Sequence, residues 1–382
     1  MNILVVTPYP PVLHMHGGAV RMYHNIRLLA QKHCVRVLSF VENDEEKEHL
    51  KSAGPVCESV TAIDRVSDLG AHWTSLVPFV VREFGTPAMH QAVDEALRLH
   101  EIDVIQCEYL QMAQYKRAGA ASILTILETH SDNAYHAFQA EPDAIQKLRK
   151  FSGWMSMLNY EVSMCNAFDR VVTMTDEDAA YLRSYARHAD VRAIPIGVDA
   201  EYFRPATDPS PKRPVQIVFI GNYRHPPNVI AAEFLLREIA PYFPDIELVI
   251  AGSNAPKSPQ ALHNVAFPGY VVDTRQLFQM PDTIFVAPLF TGTGQRVKLL
   301  EAFAMGAAVV TTSLALAGFP VVNGVQAMIA NNATEFRTAV ATLAASEELR
   351  SRLGREARSM IETHFNWDSI GRQFMELIEG LK

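Results

Sequence analysis

The sequence predicts an α/β chain: two doubly wound domains in tandem, followed by a terminal helix. Three observations carry that expectation. Short runs rich in Val and Ile recur along the chain, mostly without polar alternation, and longer helical patterns separate them. A strand-then-glycine opening near the start is repeated from residue 215, just after a proline-rich break. The length, 382 residues, suits two domains at about 150 residues each.

In the first half, strands are expected at Ile3–Thr7, Val35–Phe40, Ser59–Ile63, Asp103–Cys107, Ser122–Leu127, Arg170–Met174 and Val191–Ile194. Continuous apolar runs of this kind suit a parallel sheet covered by helices on both faces. Helical patterns such as Ala19–Lys32 and Pro87–His100 fall between them, which gives βα alternation. The segment Arg204–Pro214, RPATDPSPKRP, has four prolines and no apolar periodicity, and so reads as a linker. Strands resume at Val215–Ile220, Ile246–Ala251, Asn264–Phe267, Thr283–Ala287, Ala308–Thr312 and Ala327–Ala330. The expected division is therefore a Rossmann-like domain over 1–205, a linker over 206–214, a second Rossmann-like domain over 215–365 and a helix over 366–382. In that last segment Ile370, Phe374, Leu377, Ile378 and Leu381 form a helical stripe that has to dock on something.

Composition narrows the function. The 34 basic and 42 acidic residues give a net charge of −8, which argues against nucleic acid as a partner. The four cysteines are scattered, with no ligand spacing, as suits a reducing cytoplasm rather than a zinc module or disulfide scaffold. The opening MNILVVTPYPP has no basic leader and reads as a strand rather than a signal peptide. No charged residue lies between Glu301 and Glu335, yet glycines, Pro320 and polar residues break that run into pieces shorter than a membrane span. A soluble, cytoplasmic protein is expected, with peripheral contact at the inner face of the membrane left open.

The strongest chemical signal is PLFTGTGQRVKLLEAFAMG, residues 288–306. A strand ends, Gly292 and Gly294 make a tight turn, and a helix is expected from about Gln295 to Met305. Glycines before a helix N-terminus let backbone amides approach an anion, and the helix dipole adds favourable potential. Arg296 and Lys298 are misplaced for the dipole, which a bound polyanion would explain; a solvated pair at an ordinary loop–helix junction is the alternative. Glu301 is flanked by apolar residues, and buried carboxylates are rare without a partner.

These residues carry a resemblance. GTGQRVKLLEAFAMGAAVV is similar to the C-terminal signature of glycosyltransferase family 4, whose members are retaining enzymes with the two-domain GT-B fold. FIGNYRHPPNVIAAEFLLREIAPYFP resembles that family's opening of the nucleotide domain, GYVVD its base-binding turn, and PIGVD the end of its first domain. HFNWDS resembles the start of its final helix, which crosses back onto the first domain. The resemblance implies that Glu301 is the second glutamate of the EX7E motif and holds the donor ribose. It implies that Arg296, Lys298 and the amides of Gly292, Thr293 and Gly294 hold the diphosphate, and that Tyr270 and Val271 lie against the base. Two departures stand out. Thr293 occupies the place of the motif's first glutamate, and Arg224 is present without the lysine that usually follows it.

In the first domain the resemblance implies that Gly17 and Gly18 lie against the donor phosphate or acceptor, and that His130 in ILETHSDNAYH is near the transferring sugar. The residues alone leave a flexible loop entering a helix, and a structural histidine, as alternatives. Polar groups at the carboxyl end of a parallel strand do face the ligand crevice. The implied substrates are a nucleotide diphosphate sugar and a glycan, lipid-linked or small-molecule acceptor. No metal or other cofactor is expected, because 288–298 contains no Asp or Glu. Asp176, Glu177 and Asp178 resemble a metal-binding DxD, but Thr175 ahead of them reads as a helix cap. KLRKFSGWMSML, 147–158, is either a packed helix with a solvated basic face or a stretch that touches anionic lipid. The rival functions are a nucleotide-sugar epimerase, a nicotinamide-dependent oxidoreductase and a non-catalytic nucleotide-sugar binder. The oxidoreductase lacks its G-x-G-x-x-G after the first strand.

Overall fold

A computed structural model describes residues 1–13, 17–65, 77–205, 214–255, 262–278 and 281–381. It contains two compact units, Met1–Pro195 with Ile370–Lys382, and Ile196–Ser369.

The first unit is built on a parallel sheet of β1 (Asn2–Thr7), β2 (Cys34–Val41), β3 (Ser59–Asp64), β4 (Val104–Glu108), β5 (Ala121–Ile126), β6 (Arg170–Thr173) and β7 (Val191–Ala193). Their spatial order is β3-β2-β1-β4-β5-β6-β7. The second unit holds β8 (Gln216–Ile220), β9 (Glu247–Ala251), β10 (Val265–Gly269), β11 (Thr283–Ala287), β12 (Ala308–Thr311) and β13 (Met328–Ile329), in the order β10-β9-β8-β11-β12-β13. The central strands β4, β11 and β12 are buried along their whole length; β11 and β12 are accordingly mostly apolar without alternation, whereas β4 also buries Gln106 and Glu108. The edge strand β3 is largely exposed and carries Ser59, Thr61 and Asp64. Both units are α/β and doubly wound, with strand order reversing between β1 and β4 and between β8 and β11. Ligands of such sheets bind outside the carboxyl ends of the strands at those two points.

The second unit begins at Ile196 rather than at the proline-rich segment, of which 206–213 lie outside the described residues. Long-range hydrogen bonds tie the residues from Ile196 onward to the second unit. Ile196 donates its N–H to the Gln295 side chain at 2.6 Å, and Val198 donates to Phe365 O at 2.8 Å. The terminal helix spans Trp367–Glu379, and from Ile370 onward its residues belong to the first unit. There Gly371 packs on Leu28, and Phe374 and Ile378 are fully buried. Among the described residues no helix is long and apolar enough to cross a membrane.

Candidate active site

In the second unit the chain leaves β11 at Ala287, passes through 288–296 and enters the helix Val297–Ala304. Gly292 and Gly294 have φ of +96° and +78°, values that exclude an unstrained side chain at either position. The helix starts at Val297, two residues later than the sequence suggests, and Arg296 is its N-cap with no side-chain cap bond. A guanidinium is disfavoured by the dipole at that point, and Arg296 turns back onto the loop instead. It donates to Gly292 O at 2.6 Å and Thr293 O at 2.5 Å. Arg296 therefore braces the glycine turn, leaving the helix N-terminus without a side-chain acceptor.

Lys298 lies in the first helical turn. Its ammonium donates to Asn228 Oδ1 at 2.6 Å and stands 4.7 Å from the centre of the Phe219 ring. Asn228 in turn donates to Asn222 O at 2.8 Å, so it joins the loop after β8 to the helix that follows the glycine loop after β11. Gly221 makes room for it, since a Cβ there would sit 2.9 Å from Asn228 Cγ. Burial, then the neighbouring Arg296, pushes the Lys298 ammonium down to about 7, opposed by Glu301. Burial pushes the Glu301 carboxyl up to about 7, opposed by Lys298. The Glu301 carboxyl has no hydrogen-bond or ion-pair partner among the described residues. The buried Thr293 hydroxyl also lacks a partner among them.

Arg224 is exposed in the loop after β8. Tyr270 and Val271 follow β10, where Gly269 turns with φ +73°; the Tyr270 side chain is 67% exposed. The strands are parallel, so these residues share the carboxyl edge with the glycine loop. β10 stands three strands from β11, roughly 14 Å at about 4.8 Å per strand.

In the first unit Gly17 and Gly18 open the helix Gly17–Leu29 after β1. Gly18 has a steric reason of its own: a Cβ would lie 1.9 Å from the Tyr109 hydroxyl and 2.8 Å from that of Tyr9. Tyr109 follows β4 with φ +71°, an uncommon conformation for a bulky residue, and burial drives its phenol far above the ordinary range. His130 opens the helix His130–Gln139 after β5. Its N–H donates to Glu161 Oε1 at 3.0 Å, and that of Ser131 to Oε2 at 3.2 Å. Glu161 is fully buried on the helix Ala144–Ala167 and caps the His130 helix through space. Thr175 caps its own helix, accepting from Asp178 N at 3.0 Å, and Asp178 also accepts from Thr129. The acidic triplet is thus a helix start, and among the described residues no group of His, Cys, Asp and Glu could hold a metal ion.

Sequence reasoning missed Asn228, Tyr109, Glu161 and a buried ion pair. Arg21 Nη1 and Glu108 Oε2 are 3.4 Å apart, both fully buried, fixing the Gly17 helix to β4. Burial pushes Arg21 down and Glu108 up, and each opposes the shift of the other. A charge on the apolar stripe of a helix, as Arg21 is, was the available signal.

Two family profiles match the chain. "Glycosyltransferase Family 4" covers residues 15–202 and "Glycosyl transferases group 1" covers 214–346. The chain belongs to glycosyltransferase family 4. The phosphatidyl-myo-inositol mannosyltransferase of Mycolicibacterium smegmatis is 26% identical over 201 residues, 50% of this chain and 52% of that protein, so the match spans about half the relative's length. Solved structures that share the fold include the following two. The sucrose-phosphate synthase of Thermosynechococcus elongatus has a TM-score of 0.74 at 16% identity, covering 100% of this chain and 99% of that one. Anabaena HepE in complex with UDP has a TM-score of 0.72 at 14% identity, covering 100% of both chains. This is a glycosyltransferase of GT-B type.

Proposed function

We propose that this glycosyltransferase moves a hexose-type sugar, with retention, from a nucleotide diphosphate donor to a glycan, lipid-linked or small-molecule acceptor. One arrangement carries the reading: a glycine-turned loop enters an uncapped helix N-terminus at the sheet's switch point, with Lys298 beside it and an unpartnered Glu301 one turn along. The amides of Gly292, Thr293 and Gly294, with Lys298 and Arg224, hold the diphosphate. Arg296 holds the loop in shape. Glu301 accepts from the ribose hydroxyls, and Tyr270 and Val271 flank the base. HepE, a fold neighbour, has been solved with UDP, which supports a nucleoside diphosphate here.

Transfer breaks the bond between the anomeric carbon and the leaving phosphate oxygen and forms one to the acceptor oxygen on the same face. The acceptor's proton passes to the departing phosphate, so no separate base is required. The second unit's task is to stabilise negative charge as it builds on the diphosphate, which preorganised amides and an ammonium do without reorganising. Gly17, Gly18 and His130 serve the acceptor and transferring sugar in the first unit.

Thr293 favours a second reading, a non-catalytic nucleotide-sugar binder, because a threonine stands where the EX7E motif has a glutamate. A panel of nucleotide sugars screened by thermal shift, then assayed for donor consumption with and without acceptor, decides between the readings. Acceptor-dependent turnover with a retained anomer supports transfer. Donor binding without turnover supports the binder, and turnover without acceptor supports an epimerase. Activity should persist after exhaustive EDTA treatment; loss restored by Mg²⁺ or Mn²⁺ would overturn the metal-free assignment of this loop.

A further inference from the structure

The helices His130–Gln139 and Ala144–Ala167 are neighbours in sequence, and aromatic rings hold them together. Phe138 stacks on Trp154 with ring centres 5.9 Å apart, Tyr135 lies 5.0 Å from Trp154, and Phe151 lies 5.5 Å from Phe138. That cluster uses one side of the long helix. Beside the cluster, Ile145, Leu148 and Met155 are 72%, 69% and 44% exposed, and Phe151, at the boundary of cluster and stripe, is 41% exposed. Their spacing of three, three and four residues confines them to an arc of about 120° at 3.6 residues per turn. Exposed apolar residues scattered singly need no explanation, but a stripe of four large ones does.

Cations edge the stripe. Arg149 falls beside Ile145 on the helix surface, and Lys147 falls beside Phe151 on the opposite margin. Lys147 also stands 5.5 Å from the Phe138 ring, and Lys150 pairs with Glu141 at 2.6 Å. Asp143 is the helix cap, accepting from Gln146 N at 2.8 Å. Three cations against two acids leave 140–156 positive in a chain of net charge −8. An apolar arc between cationic margins on a helix is the pattern of a segment lying in a membrane interface, and the opposite sign from the rest of the chain fits an anionic surface.

We propose that the first half of the helix Ala144–Ala167 docks on an anionic lipid surface, with Ile145, Leu148, Phe151 and Met155 entering the interface and Lys147 and Arg149 meeting the headgroups. Docking is independent of the sugar-transfer reading, since the stripe contains none of the residues assigned to donor or acceptor. It concerns the surface on which the protein works, whatever acceptor it uses.

The full chain is sedimented with vesicles of equal parts phosphatidylglycerol and phosphatidylcholine, and with vesicles of phosphatidylcholine alone. Binding to the anionic vesicles, weakened at least about tenfold by high salt or by omitting phosphatidylglycerol, is the expected result. The exposed substitutions Leu148→Asp and Met155→Asp together should lower partitioning at least about tenfold with an unchanged melting temperature. Arg149→Gln should lower it severalfold on anionic vesicles only. Failure of the wild-type chain to sediment with anionic vesicles overturns the proposal. So does a Leu148→Asp, Met155→Asp chain that binds as well as wild type. Light scattering that shows a dimer dissolved by the same pair, without vesicle binding, assigns the stripe to a second copy instead.

Discussion

Glu301 and Lys298 share one face of a helix and are each driven by burial toward neutrality, to about 7. The unfolded chain keeps ordinary values, 4.5 for the carboxyl and 10.5 for the ammonium. Folding therefore takes up a proton at Glu301 between about 4.5 and 7, and stability falls as pH rises through that window. At Lys298 folding gives up a proton between about 7 and 10.5, and stability rises with pH there. The ligand-free protein should show a dip near neutral pH, relative to a Glu301→Gln, Lys298→Met variant, in melting temperature measured across that range. A diphosphate restores the ammonium, so nucleoside diphosphate binding above about pH 7 should take up a proton. Calorimetry in two buffers of different ionisation enthalpy reads that uptake, and release of a proton would contradict the assignment. Glu301→Gln should weaken nucleoside diphosphate binding by about 1.5–3 kcal/mol, the worth of a charged hydrogen bond to ribose, in a protein that still folds. An unchanged dissociation constant would remove Glu301 from the ribose.

Elements show which glycines turn a loop and which serve packing. Gly292 and Gly294 need positive φ to turn the loop, and this was legible from a strand, two glycines and a helix in succession. Gly18 was legible only as a loop glycine, because Tyr109, whose hydroxyl occupies its Cβ position, is far away in sequence. Gly18→Ala should therefore destabilise the first unit by about 1–3 kcal/mol, the usual cost of overpacking. Tyr109→Phe in the same chain should recover much of that loss in denaturant titrations. Additive effects of the two substitutions would place the role of Gly18 in the loop rather than in packing. The capping of Asp176–Asp178 by Thr175 was also readable, since both partners lie within four residues. Glu161 capping the His130 helix was not, because no local pattern points across 31 residues to a carboxylate.

At the scale of the molecule, the end of the chain completes the first unit. Ile370, Phe374 and Ile378 are buried there, and Arg21 stands 5.8 Å from the Phe374 ring. Deleting 370–382 should lower the unfolding transition of the first unit by about 1.5–3 kcal/mol for each of these three side chains. The second unit should melt as before, which calorimetry resolves as one shifted and one unshifted transition. Equal shifts of both would show that the segment acts on the whole chain rather than on the unit it packs in.

The sequence by itself determined the α/β class, the two sheets, the glycine-turned loop and the stripe that makes the last helix dock, because each is a local pattern of polarity and backbone freedom. Tertiary structure decided what those patterns meet. Long-range partners set the place of Asn228 between a loop and a helix and the burial of Arg21 against Glu108, and packing set the exposed side of the helix Ala144–Ala167. The physical reason is the same in each case. Periodicity fixes which face of an element is apolar, but burial, and with it charge state and hydrogen-bonding need, depends on which distant residues occupy the space beside that face.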